Sequence, residues 1–137
     1  MCFVDFAHAE DPAASATVHL YRESRIVARI YRAPIRINDE PLLNLANGVV
    51  WTAKLAPGTY EFAARDKDVF SDKDKEMSTL KVDLQPGQTV FIRASLVMGG
   101  RKPNTTLTLV SEEEASKEMA GLKPVRAKDV LHPAYQE

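Results

Sequence analysis

From residue 16 to 22 the chain reads ATVHLYR, with Val18 and Leu20 alternating against Thr17, His19 and Tyr21. A period of two in a segment rich in β-branched and aromatic residues predicts a strand. The alternation recurs in APIRIN (33–38), where Ile35 and Ile37 share a face, and apolar runs follow in LLNLA (42–46) and VVWTAKL (49–55). Turn chemistry separates these runs: Asn38-Asp39-Glu40-Pro41 first, then Asn47-Gly48. Asn-Gly tolerates the positive φ of a type I′ turn, so the runs from 33 to 55 are expected to form a meander of hairpins.

Four more strands are predicted downstream. TYEFAAR (59–65) places Tyr60, Phe62 and Ala64 on one face, STLKVDL (78–84) does so with Leu80, Val82 and Leu84, and QTVFIRASLVM (88–98) with Val90, Ile92, Ala94 and Leu96. TTLTLV (105–110) reads as the last. The phrase Leu-x-Pro-Gly precedes two of these runs, in LAPGTY (55–60) and LQPGQT (84–89). Proline fixes φ near −65° and glycine supplies a positive φ, so each is expected to be a type II turn reversing the chain between antiparallel strands. Neither has the glycine pattern or the Lys-Ser/Thr of a phosphate-binding loop. Ser111-x-x-Glu114 is a capping box, Glu112 to Glu114 suit the positive end of a helix dipole, and Gly121 with Pro124 marks the stop. Ala115, Met119 and Leu122 form a stripe able to pack on a sheet. The fold class expected is all-β, an antiparallel β-sandwich or open barrel of about seven to eight strands with one short C-terminal helix. It spans 15–123, between an N-terminal tether (1–14) and a C-terminal tail (124–137) without a strong period.

Composition narrows the function without naming it. The 137 residues are 45% hydrophobic and 27% charged, with a net charge of −1. Basic residues are scattered, and only RESRIVARIYR (22–32) shows a local excess, so binding to nucleic acid by phosphate neutralisation is not expected. Apolar runs fall short of a transmembrane helix. The single cysteine, Cys2, leaves no intrachain disulfide. One reading makes it an incidental or buried thiol. The other makes it the lipid-attachment residue of a bacterial lipoprotein whose signal has been replaced by the start Met, followed by a tether in FVDFAHAEDPAASA (3–16).

Candidate chemistry sits mainly in two loops. In DKDVFSDKDKEM (66–77), Phe70 interrupts a charged run, either folding back to cap the core or serving as the anchor of a partner-binding loop. Arg101 and Lys102 in GGRKPN (99–104) would then be steering charges. Asp66, Asp68, Asp72 and Asp74 have superficially suitable calcium spacing, but the interleaved lysines and missing Gly/Glu pattern speak against it, and no metal is expected. His8, His19 and His132 are far apart, Cys2 sits at a chain end, and the carboxylates lie on surface loops and the helix start. No catalytic residue or cofactor is assigned, and a non-enzymatic function is expected. Trp51, Tyr60 and Phe91 could instead form an apolar platform for a small molecule or carbohydrate.

The first strand ending in Tyr-Arg, the Pro-Gly-x-Tyr turn, the second Pro-Gly before an aromatic-containing strand, and LVSEEEA entering the helix resemble the domain of unknown function 2846 family. The resemblance covers about residues 15 to 123. The glycine usual in the first hairpin is replaced here by Asp39-Glu40. The family comprises small bacterial envelope proteins, many of them predicted lipoproteins, and offers no catalytic residue to transfer. It implies a periplasmic or envelope binding or assembly module, anchored to a membrane only through lipid on Cys2 and acting on a protein partner. An immunity-type inhibitor is the other protein-binding alternative.

Overall fold

The structure, a computed structural model, describes residues 15–26, 28–67, 74–99 and 102–135. Alternation builds the strands where it was read: β1 (Ala16–Arg22), β2 (Ala33–Ile37), β3 (Glu40–Leu45), β4 (Val49–Leu55), β5 (Gly58–Lys67), β6 (Asp74–Leu84), β7 (Thr89–Gly99) and β8 (Lys102–Val110). A helix, α1 (Glu112–Met119), follows, and then a two-residue strand, β9 (Lys123–Pro124). One sheet has the order β8-β7-β1-β4-β9, the other β3-β2-β5-β6. They form a sandwich, in which β1 with β7 and β4 with β9 are parallel pairs and the rest antiparallel. Val18, Leu20, Trp51, Leu55 and Ile92 from one sheet meet Ile35, Leu43, Phe62, Val82 and Leu84 from the other in a single core.

The meander expected over 33–55 is not what forms. β2 and β3 do make a hairpin, and its turn is type I′ in character: Asn38 and Asp39 have φ of 49° and 67°. Both residue types tolerate the left-handed region, which is why the turn survives without glycine. Asn47-Gly48, however, joins β3 in one sheet to β4 in the other, and β4 pairs with β1. Only Gly48 takes a positive φ, 72°.

The two Leu-x-Pro-Gly phrases also cross between sheets instead of closing hairpins, one from β4 to β5 and one from β6 to β7. They lie at the same end of the sandwich, because Leu84 pairs with Gly58 and Leu55 pairs with Ala16. Both leucines are buried corner residues. At 85–88 the expected type II geometry is present: Gly87 has φ 75°, and the Gln88 amide donates to the Gln85 carbonyl at 3.1 Å. At 56–59 it is not, since Gly58 has φ 150° and already belongs to β5. That crossing is closed by Tyr60, whose hydroxyl donates to the Ala56 carbonyl at 2.6 Å, the arrangement of a tyrosine corner.

The segment read as a tail is packed. The Lys123 amide donates to Gly48 O (3.1 Å) and the Val125 amide to Val50 O (2.9 Å), which fixes β9 beside β4. The chain then passes a 3-10 turn at 127–129 and reaches the edge of β3 in the other sheet. There Val130 bridges Leu43, and the amides of Leu131 and His132 both donate to Leu42 O. Residues 123–135 therefore strap one flank of the sandwich. On the opposite flank the Leu107 amide of β8 donates to the Ser78 hydroxyl of β6 at 3.1 Å.

Candidate functional site

Odd-numbered residues of β1 face away from the core. Tyr21 there is buried with Phe91 and Ala115 beneath α1, together with the half-buried Val50, Val110, Met119 and Leu122. The stripe expected on the helix is thus its docking face. Ser111 caps α1 by accepting from the Glu114 amide at 3.2 Å. The Glu114 carboxylate points elsewhere: Arg93 holds both Glu114 and Glu118 at 2.9 Å, and the Tyr21 hydroxyl donates to Glu118. Burial, reinforced by Glu118, raises the Tyr21 phenol well above its usual range. Burial pushes the Glu118 carboxyl up, but the bonds from Tyr21 and Arg93 outweigh it and leave it below the usual value. His19 stacks on Phe91 with centroids 5.0 Å apart, and its Nδ1 lies 2.8 Å from Thr52 Oγ1. Tyr21 and Arg93 thus fasten the helix to the sheet through Glu114 and Glu118, while His19 bonds within the sheet.

The residues singled out from sequence are not gathered at one place. Cys2, Phe70 and Arg101 lie outside the described residues, and Lys102 is placed only as the first backbone position of β8. The loops expected at 66–77 and 99–104 are shorter than read, because Arg65 to Lys67 pair with Asp74 to Glu76 and Gly99 pairs with Lys102. Trp51, Tyr60 and Phe91 do not make a platform: Trp51 is 2% exposed in the core, while Phe91 lies on the other face of the same sheet under α1. His132 pairs with Glu40 at 2.8 Å on the strap, far from the His19 environment. Among the described residues, no cluster of three or more His, Cys, Asp and Glu is arranged to hold a metal.

What the structure does assemble is a groove along β4. Even-numbered residues of β4 direct their backbone groups away from β1 and toward the β9 side, as the bonds to the Gly48 and Val50 carbonyls show. Because β9 ends at Pro124, the next two positions in this phase, Thr52 and Lys54, receive no strand partner on that side among the described residues. Beside this open edge lies a groove of about 670 Å³ lined by Trp51, Ala53, Val125, Ala134 and Tyr135, with Lys54 at its rim. Tyr135 meets Trp51 edge-on, ring centroids 5.9 Å apart. Burial, with Glu40 nearby, raises the Tyr135 phenol, so it remains a neutral hydrogen-bonding wall. The exposed Lys54, Lys123, Arg126 and Lys128 have no ion-pair partner among the described residues, giving the edge and strap a basic surround. Sequence reading missed this site because the strap is anchored by isolated residues. Val125 and Val130 between Pro124 and Pro133, with Tyr135 just after, were the available signal.

The family model described as Protein of unknown function (DUF2846) matches residues 12–107, most of the chain. The chain belongs to the DUF2846 family. The match takes in β1 to β7 and most of β8, so the sandwich is the DUF2846 part, while α1 and the strap lie beyond the matched residues. One wall of the groove, β4, is therefore DUF2846 sequence and the other, Val125 to Tyr135, follows it. No curated protein matches the chain.

Proposed function

We propose that this DUF2846 chain is a non-catalytic binding or assembly module of the bacterial cell envelope that docks an extended segment of a partner protein on the open edge of β4. The observation that carries the reading is the coincidence of unpaired strand backbone at Thr52 and Lys54 with the apolar groove of Trp51, Val125 and Tyr135. Main-chain bonds to an edge supply affinity, and a flanking pocket supplies choice of side chain. The cations around the edge favour a segment carrying carboxylates. Trp51 is too enclosed to offer a ring face for sugar stacking, which weighs against the carbohydrate alternative. Lipid on Cys2 would hold the module at a membrane. Ser15, the first described residue, lies at the end where the Pro-Gly crossings are.

Lys54→Pro tests the edge. The Lys54 amide points to the open side and its exposed side chain makes no bond among the described residues, so proline removes one edge donor without breaking a ladder. Retained melting temperature with lost capture of the envelope partner is the expected result. Capture at wild-type level by a folded Lys54→Pro protein would move the site away from β4.

A further inference from the structure

The one stretch with a local excess of cations, residues 22–32, forms the crossing from β1 to β2 at the end opposite the Pro-Gly phrases. Its shape is fixed from within. Arg22 is 3% exposed, and its guanidinium donates to the carbonyls of Ala28 (2.6 Å), Tyr31 (2.5 Å) and Leu45 (3.0 Å). The Arg25 amide donates to Asn47 Oδ1 at 3.0 Å, and the Tyr31 amide to Ala28 O at 3.0 Å. Ala28 takes a left-handed φ of 59°, a conformation an alanine keeps only where surrounding bonds enforce it. This internal clamp holds two isoleucines outward: Ile26 is 86% and Ile30 90% exposed, more than any other large apolar residue described. Arg25 and Arg29 flank them and are exposed. The only acid in the stretch, Glu23, is already paired with Arg25 at 2.9 Å.

We propose that this loop is a contact for an anionic lipid bilayer, in which Ile26 and Ile30 enter the boundary of the acyl chains and Arg25 and Arg29 meet lipid phosphates. Aliphatic side chains together with cations are what an anionic interface selects, the first for the hydrocarbon boundary and the second for the negative surface. A protein partner is disfavoured by the high exposure of both isoleucines, neither of which lines the neighbouring polar cleft bordered by Arg22, Glu23, Arg25 and Asn47. The inference is independent of the β4 groove and of any lipid on Cys2, which would be a separate attachment.

The test uses the full chain without lipid, so that only the protein surface can bind. It is sedimented with vesicles of phosphatidylcholine alone or mixed with phosphatidylglycerol, at low and high salt. Binding to the anionic vesicles that weakens with salt is expected, with little binding to phosphatidylcholine. Arg29→Ala should weaken it about fivefold, the effect of one cation near such a surface. Ile26→Ser with Ile30→Ser should abolish it at an unchanged melting temperature. As a check independent of folding yield, Ile30→Trp should show a blue-shifted emission with anionic vesicles. No binding to anionic vesicles would overturn the proposal, as would binding that survives the double serine variant. Loss of a protein partner in that variant, without vesicle binding in the wild type, would make the loop a protein contact instead.

Discussion

Arg22 shows how one side chain can set the shape of a connection. Methionine at this position would fill much of the space but leave the carbonyls of Ala28, Tyr31 and Leu45 without their donor. At about 1 kcal/mol for each lost bond, Arg22→Met should cost about 3 kcal/mol, read as a lower urea midpoint. Lysine should recover only part, since one ammonium group cannot reach three divergent carbonyls as a planar guanidinium does. Tyr60 and the glycines of the two crossings act at the same scale. Tyr60→Phe should lose about 1 kcal/mol by removing the bond to Ala56. Gly58→Val and Gly87→Val should each lose about 1–3 kcal/mol, since both glycines hold positive φ although only one sits in a type II turn. Unchanged unfolding midpoints in both valine variants would contradict this backbone account.

At the scale of elements, the sheet face under α1 carries His19 and the helix carries Glu118, so stability should depend on pH in two steps. Burial holds the His19 imidazole below 6.5, its usual value. Above that pH His19 is neutral in both folded and unfolded chains and contributes no pH dependence. As pH falls through 6.5 the unfolded chain takes up the proton first, so stability is lost from there down to the lower folded value. Glu118 is held below its usual 4.5, so its contribution is present above 4.5 and is lost as pH falls through the lower folded value. Urea midpoints measured against pH should fall in both windows. His19→Gln should flatten the first and Glu118→Gln the second, and a single unaltered slope in both variants would contradict these assignments.

The same elements show what sequence could reveal. Alternation, with turn-bounded apolar runs at 42–46 and 49–55, exposed β1 to β8, and the Ala115, Met119 and Leu122 stripe exposed the docking side of α1. Alternation states which face is buried but not which strand lies alongside. Asn47-Gly48 and the Pro-Gly phrases therefore read as hairpins when they are crossings between sheets. The groove was less legible still, because its strap pairs through only two residues of β9, an isolated bridge at Leu43 and two amides on the Leu42 carbonyl.

Across the whole molecule, the strap ties the β4 edge of one sheet to the β3 edge of the other and walls the groove. Ending the chain after residue 123 would remove Val130, which is buried, and Tyr135, which abuts Trp51. Burial of one valine and one aromatic pair together predict a loss of about 3 kcal/mol, with Trp51 emission shifted to the red. Unchanged Trp51 emission in the truncated chain would mean that the strap does not cover it in solution. The arrangement also separates three regions: Ser15, the first described residue, lies at the Pro-Gly end, the Ile26 and Ile30 loop stands at the other, and the β4 groove runs along a flank between them. A module could thus be attached, touch a bilayer and hold a partner strand without these surfaces overlapping.

The proposed docking sets a partner's extended segment against β4 at Thr52 and Lys54. Its most direct measurement places a photo-crosslinking side chain at position 54, and a control at the exposed Asp83 on the other sheet, in cells that make the protein. Docking on this edge should give one protein adduct at 54, absent at 83, and competed by a strand peptide taken from that adduct. An adduct at 83 but not at 54, or an adduct at 54 that strand peptide leaves unaffected, would contradict docking on the β4 edge.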